Sequence, residues 1–437
     1  MKKKQIQPEK TLHQALSSIK SLTSLNVEPK QPIADDEFTP ACQFVTQLAS
    51  HAHEYGVSYI KLQALMSQLP QLFGFHGVML AASPFIFFEF WRQGDPEPTR
   101  ATIQSPVGSF DLSKLSALGS LVNDLTDSKI HISEGMDRLK QIENLEPPYK
   151  KPVVALGYAL CGAGFAVLLS ANWSDVVFAA LLSLVVYAIT LMANQSQWLS
   201  NRLNFTSALV ASILANVVAL LFPGSNPFIV SLCAVIVLIP GLSLTLGTAE
   251  LASKIVISGV NRLVDGITIT FILVMGNAMG SSLVKAIWTV PPADVTPDRP
   301  LWITLAFVLV LMLGLTIVFK VGLTDLAWVI LAGELAYVGV LFGRQLGDWQ
   351  GSFVGALILG LYVSLYAFRL RRPGSIVTLP GIMILVPGVA AYFGLNTLQT
   401  SGIIGALPAV AGVFTQIVAI MGGLFVAASI LPPKSSL

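Results

Sequence analysis

From about residue 153 to residue 431 the chain alternates long apolar runs with short polar breaks, whereas before residue 153 its apolar positions come in short amphipathic patterns. The apolar runs fall near 153–170, 176–193, 205–222, 228–246 and 262–287, then 301–319, 326–343, 351–368, 377–394 and 403–431. Most are close to the ~20 residues that a helix needs to cross a hydrocarbon core of about 30 Å. A β-barrel would show short alternating segments instead. The pattern therefore predicts ten spans in two sets of five.

The earlier part reads differently. Thr39-Pro40 has the form of an N-cap followed by proline at the first helical position. Phe44, Val45, Leu48, Ala52 and Tyr55 then share one helical face until Gly56. A second amphipathic helix follows Ser58. Val78 to Trp91 is rich in β-formers and reads as a strand with Pro84 at an edge or bulged position, and Thr99 to Gln104 reads as its returning partner. Asp111 caps a helix with Leu112, Leu115, Leu118, Leu121, Val122 and Leu125 on its apolar side, and Ser133 starts a last one. The expected fold is a membrane all-α protein with a small N-terminal α+β cytoplasmic domain. Its expected segments are an arm at 1–37, the cytoplasmic domain at 38–150, membrane repeats at 151–288 and 301–437, and a periplasmic linker at 289–300.

The two sets of spans are related. Ile236 to Asp265 resembles Met383 to Leu398 at an offset of 147, which aligns Leu238 with Leu385, Pro240-Gly241 with Pro387-Gly388, Gly247 with Gly394 and Leu251 with Leu398. Each set has an odd number of spans, so the second enters the membrane from the opposite side. Inverted repeats of this kind are common in secondary transporters, with a site at the repeat interface. The last span of each set is long enough to include an extension or a break at its glycines, Gly276 and Gly280 in one and Gly412 or Gly422-Gly423 in the other.

Composition fits a bilayer protein: 54% of residues are hydrophobic and 11% charged, against roughly 25% charged in soluble chains. A net charge of +2 without a basic stripe argues against a nucleic-acid surface. Lys2, Lys3 and Lys4 precede no apolar stretch, so no cleaved signal is expected. Ten cations (Lys150, Lys151, Arg202, Lys254, Arg262, Lys320, Arg369, Arg371, Arg372, Lys434) fall at one set of span ends and three (Lys285, Arg299, Arg344) at the other. The positive-inside rule then places both termini in the cytoplasm. Cys42, Cys161 and Cys233 are too few and scattered for a disulfide framework or metal cluster.

Candidate chemistry centres on the Pro-Gly pairs. Proline in an apolar helix frees a carbonyl and glycine lets a substrate approach, so Pro240, Gly241, Pro387 and Gly388 are expected at paired broken helices facing a substrate. Ser243, Thr245 and Thr248 follow the first pair and Tyr392 and Asn396 the second, as neutral donors and acceptors. The competing reading is a packing kink, with hydroxyls bonded to their own backbone. Glu334 is the only charge in the middle of its span, where a carboxylate is costly unless protonated, paired or facing water, and it is the candidate for proton coupling. Glu250, Lys254, Arg262 and Asp265 form a candidate gate or a solvated ion-pair face, with Glu250 and Lys254 at i,i+4 spacing. Asn216 and Asn277 are expected to join helices. His51 and His53 are two apart on a helix and point in different directions, which disfavours a metal site. Ser17 to Lys20 matches S-x-x-K only by chance, and no phosphate-binding loop appears. No cofactor is expected, and a gradient is left as the energy source.

Several of these stretches resemble the threonine/serine exporter family and its split two-chain relatives, over roughly residues 40 to 431. The resemblance rests on ASPFIFFEF, TRATI, DLSKLSAL and SEGMDRLKQI followed by PPY, then on IPGLSLTLGTAEL, SGVNRL and PGIMILVPG. It implies a ten-span inner-membrane exporter of small hydrophilic metabolites, driven by the proton motive force, and not an enzyme. The resemblance implies an acidic residue after the first Pro-Gly motif, and this position is Glu250 here rather than aspartate. Some relatives look like amino-acid exporters and the split pairs are linked to succinate, so a dicarboxylate is the alternative substrate. A cation near the site, from Arg344 or Lys285, would favour it. A membrane-anchored interaction protein or enzyme acting through residues 1–150 is a reading of a different class. Homo-oligomerisation stays open.

Overall fold

In the structure, a computed structural model, residues 33–82, 85–95, 97–104, 110–294, 299–385 and 387–432 are described. The expectations for Ser17 to Lys20, Pro84 and Lys434 lie outside them. The N-terminal unit packs helices α1 (Asp35–Glu54), α2 (Tyr59–Leu72), α3 (Leu112–Thr126) and α4 (Ile132–Glu143) with strands β1 (His76–Ala82), β2 (Phe85–Trp91) and β3 (Thr99–Gln104). Helix α1 begins four residues before the expected Thr39 cap. Asp35, Asp36 and Glu37 fill its first turn, and negative charge there complements the helix dipole. The stretch expected as one strand from Val78 to Trp91 is two strands, paired antiparallel with Leu80 opposite Phe87. The third strand pairs with the second, Glu89 opposite Arg100. Ile86, Phe88 and Phe90 alternate inward and are buried.

Nine helices among the described residues are long and apolar enough to cross a membrane, or ten with a bent pair counted as one span. They include α5 (Lys151–Leu168), α6 (Trp173–Ala193) and α7 (Leu203–Leu221). The bent pair is α8 (Pro227–Ala234), followed by a short 3-10 turn, with α9 (Gly241–Ala252), and its bend is 55°. Next come α10 (Val256–Lys285), α11 (Leu301–Val318), α12 (Leu326–Arg344), α13 (Asp348–Leu370), α14 (Ser375–Ile384) and α15 (Pro387–Ile430). Phe271, Trp302, Phe342 and Phe414 point outward and are exposed, which suits helices that have lipid as solvent. The chain is a multi-pass membrane protein.

Glycines set the helix spacing, because without a side chain two backbones can approach closely. A Cβ at Gly164 of α5 would lie 2.6 Å from Leu311 Cβ of α11, and one at Gly314 of α11 would lie 2.8 Å from the Cys161 nitrogen. This crossing joins the first five-span set to the second. A Cβ at Gly276 would meet Phe205 O, Ala208 Cβ and Leu209 N, while one at Gly423 would meet Phe353 O, Ala356 Cβ and Leu357 N. The glycines are 147 apart (423 − 276) and their partners 148 apart (356 − 208). Helix α10 therefore packs on α7 as the end of α15 packs on α13. These glycines are packing points: of the two expected alternatives, Val256–Lys285 is an extended helix with no break at Gly276 or Gly280, and none falls at Gly422-Gly423. The break in the first set lies before α10, at residues 253–255, and the one in the second lies at Gly402, where φ is 70° and ψ −177°. Only glycine adopts that conformation cheaply, and it divides α15 into a first and a second arm.

The N-terminal unit docks on one side of the helical layer. The first two amides of α3 donate to the end of α11, Leu112 N to Phe319 O at 3.1 Å and Ser113 N to Lys320 O at 3.0 Å. Orphan donors of one helix thus satisfy orphan acceptors of another. Lys320 Nζ lies 3.1 Å from Asp111 Oδ2, and Phe110 meets Phe319 edge-on at 5.7 Å. Asn123 donates to the Arg371 carbonyl at 2.5 Å, and Lys61 donates to Ser375 Oγ at 3.3 Å.

Candidate functional site

The two Pro-Gly breaks meet. Pro240 precedes the first turn of α9 with φ −81° and ψ 46°, and the two halves of its span are α8 and α9. The second break separates α14 from the first arm of α15, which starts at Pro387; the Pro387 side chain lies outside the described residues. Proline lacks the amide hydrogen that a preceding turn would need, and a helix starts beside each one, α9 after Pro240 and α15 at Pro387. A Cβ at Gly388 would lie 2.9 Å from Gly241 Cα and 2.7 Å from Ile239 Cγ2. The void at this crossing, lined by Phe165, Ile236, Ile239, Met383 and Val389 besides the glycines, is about 10 Å³. That is at the lower limit for one water, so the crossing is closed.

On the side of the N-terminal unit a larger cavity of about 310 Å³ leads to the first break. Pro240, Leu242 and Ser243 of the α9 start line it, with Leu315, Val318, Phe319 and Lys320 of α11, Phe110 and Met383. No side chain caps the start of α9, and uncapped amides at a helix start favour an anion. Lys320 brings an ammonium and, through its ion pair, the buried Asp111 carboxylate. On the other side of the crossing Phe228 packs on Tyr392 at 5.9 Å and on Phe393 at 5.3 Å.

Other predicted residues are placed less centrally. The hydroxyls of Thr245 and Thr248 donate to their own helix, at Gly241 O (3.0 Å) and Leu244 O (2.7 Å). Tyr392 is fully buried with no hydrogen-bond partner for its hydroxyl among the described residues, and Asn396 lies one turn further along. Glu334 is half-buried on α12, its Oε1 buried and without a described partner. It lines neither the void nor the cavity. Lys285 and Arg344 end α10 and α12 and line neither.

The expected Glu250–Lys254 pair is corrected. Lys254 sits in the turn after α9 with φ 64°, so its side chain leaves the helical face that i,i+4 spacing assumes. Glu250 instead lies 3.1 Å from Arg262 of α10, both buried. The contact is ionic, with poor hydrogen-bond geometry between those two atoms, and Ser258 Oγ donates to the other Glu250 oxygen at 2.6 Å. This is a buried pair and not a solvated face; Asp265 is exposed one turn on. Arg262 lies 5.5 Å above the Tyr59 ring, and Tyr59 stacks on His53 at 4.2 Å. Burial first, and the Arg262 charge second, push the His53 imidazole down to about 4. His51 instead pairs with Glu54 at 3.5 Å. Asn277 accepts from Ser231 Oγ at 2.7 Å and Asn216 from Ser281 Oγ at 3.4 Å, so both asparagines join helices.

Some residues were missed in the sequence. Gln416 of the second arm of α15 donates to the Leu385 carbonyl at 2.7 Å, holding the end of α14 at the second break. Asp175 and Asp325, both buried, hold loops before α8 and α14. Their signal was a Ser/Thr-Asp pair, Ser174-Asp175 and Thr324-Asp325, at an offset of 150.

Residues 43–284, more than half of the chain, match a family described as "Putative threonine/serine exporter", and residues 304–430 match "Threonine/Serine exporter, ThrE". A probable threonine/serine exporter of Mycobacterium tuberculosis is 25% identical over 69% of this chain and 60% of its own. A threonine/serine exporter of Corynebacterium glutamicum is 26% identical over 68% of this chain and 64% of its own. The pheromone-regulated membrane protein 10 of Yarrowia lipolytica is 24% identical over 81% of this chain and 30% of its own. The match thus spans under two thirds of the length of these relatives. No solved structure matches the chain. With both halves matched and the two Pro-Gly motifs in contact, the chain belongs to the threonine/serine exporter family.

Proposed function

We propose that this protein exports small amino acids, threonine and serine, across the bacterial inner membrane by alternating access between two inverted five-span repeats, driven by the proton motive force. The observation that carries the reading is the contact of Gly241 with Gly388, in which two matching broken spans close on each other beside a cavity open toward the N-terminal unit. In this reading that unit, residues 38–150, is cytoplasmic, and the cavity is where the substrate waits before the crossing opens.

The cavity also favours the amino acid over the dicarboxylate. Its cation, Lys320, is already paired with Asp111, which is buried and does not itself line the cavity. A substrate with a single carboxylate can place it toward Lys320 and the α9 start. A second carboxylate would meet no further cation among the described residues of the cavity lining, a cost that gives selectivity. Glu334 is assigned the proton-coupling role on its unpartnered, buried carboxylate oxygen at membrane depth.

Efflux from proteoliposomes loaded with labelled threonine, serine and succinate, with and without a proton gradient, tests the reading. Gradient-dependent loss of threonine or serine is expected. Selective loss of succinate would replace the substrate, and gradient dependence unchanged in Glu334→Gln would remove that residue from coupling.

A further inference from the structure

Two buried aspartates occupy equivalent positions on opposite sides of the helical layer. Helices α5 and α11 end in the same turn, with Ser170 at φ 56° and Lys320 at φ 52°, 150 residues apart. Five residues after each comes an aspartate, Asp175 in the first turn of α6 and Asp325 just before α12. They are 1% and 0% exposed. Each holds the loop that leads into a broken span. Asp175 accepts from Ser225 Oγ and, at 3.2 Å, from Asn226 N, just before α8. Asp325 accepts from Arg372 at 2.6 Å, just before α14, and from Tyr366 OH at 2.7 Å.

The two sides differ: among the described residues Asp325 is held by a cation and Asp175 by a hydroxyl and an amide. The Asp325 loop is also gripped by the N-terminal unit: Ser116 Oγ donates to Asp325 at 3.4 Å, Arg371 pairs with Asp127 at 3.2 Å, and Pro373 packs on Gly119. Asp175 lies at the far side, because α5 starts beside the N-terminal unit and α6 follows its other end. Its neighbours there include Asn172, which donates to Gly224 O at 3.4 Å, and Asp294, whose amide donates to the same carbonyl at 3.0 Å.

We infer that Asp175 and Asp325 are the latches of the two gates, and that the N-terminal unit acts on transport by holding the Asp325 latch through α3. The inference rests on the alternating-access reading. A carboxylate that fastens a loop by charge-assisted bonds is strong when made and is released as a unit, and a broken span can swing only when the loop at its outer end is free. Both latches are made here and the crossing between them is closed. Both are positioning residues and touch no substrate.

The test uses two cysteine reporters in full-length protein in proteoliposomes, Ser243→Cys in the cavity beside the N-terminal unit and Phe393→Cys beyond the crossing. An impermeant maleimide is applied from each side. Asp325→Asn should speed labelling of Ser243→Cys from the side of the N-terminal unit by about tenfold and slow Phe393→Cys, and Asp175→Asn should do the opposite. Arg372→Gln, which leaves the buried aspartate in place, should act like Asp325→Asn, and Ser116→Ala should act in the same direction and more weakly. Equal responses of both reporters to both aspartate variants, or none, would overturn the latches. In protein without these variants, threonine should already shift the balance of labelling. If it does not, alternating access itself fails; if it does and the variants have no effect, only the latches fail.

Discussion

A methyl group added at Gly388 would lie 2.7 Å from Ile239 Cγ2 and 2.9 Å from Gly241 Cα, with nothing flexible on the Gly241 side to yield. One added at Gly241 would find its nearest neighbour at 3.3 Å, the Gly388 nitrogen. Gly388→Ala should therefore cost about 1–3 kcal/mol and slow efflux severalfold, while Gly241→Ala, whose contact with the Gly388 backbone is looser, should cost less. Melting temperature and efflux of the two variants, compared at equal abundance, check this. Equal effects would mean that the crossing is not the tight point of the pathway. The two motifs read alike in the sequence, since each is proline followed by glycine, and the difference lies in which backbone faces the other's Cα.

Among the elements, the second break is the more heavily supported. Its α14 end is held by Gln416, which donates to the Leu385 carbonyl from the second arm of α15. That carbonyl is an orphan of the interrupted helix, buried where water is scarce. Gln416→Ala should cost about 1–3 kcal/mol and slow efflux, and Gln416→Glu, which when ionised cannot donate to that carbonyl, should restore neither melting temperature nor efflux. The broken spans were legible from Pro240-Gly241 and Pro387-Gly388 at matching positions of the two halves, although proline-glycine alone does not decide it, since Pro380-Gly381 lies inside α14 without ending it. Gln416 was not legible, because it lies 31 residues from its acceptor and only the fold of α15 back onto α14 joins them. The same applies to Glu250, whose sequence neighbour Lys254 looked like its partner until the turn after α9 carried that lysine away.

At the scale of the whole molecule, one buried contact between the N-terminal unit and the membrane helices runs from Glu250 through Arg262 and Tyr59 to His53. His53 is buried, and its imidazole is held at about 4 against an ordinary 6.5. The unfolded chain therefore binds the proton more readily, and the stabilisation from this site is complete above pH 6.5 and is lost as pH falls from 6.5 toward 4. The loss is on the order of 3 kcal/mol. The melting temperature of the solubilised protein should drop between pH 7 and pH 4.5, and His53→Gln should flatten that part of the profile. An unchanged slope in the variant would assign the acid sensitivity to other groups.

The sequence by itself determined the apolar spans, the α+β start and the positions of the two Pro-Gly motifs. Those features depend on composition, on helical periodicity and on the local chemistry of proline and glycine, all of which act within a turn or two of chain. Only the tertiary structure decided which breaks touch, that Gly276 and Gly423 are packing points, that Glu250 pairs with Arg262, and that Asp175 and Asp325 fasten opposite sides. Each of these depends on which buried group meets which across tens or hundreds of residues, and burial makes the partner matter because an unpaired charge or carbonyl inside the protein is costly.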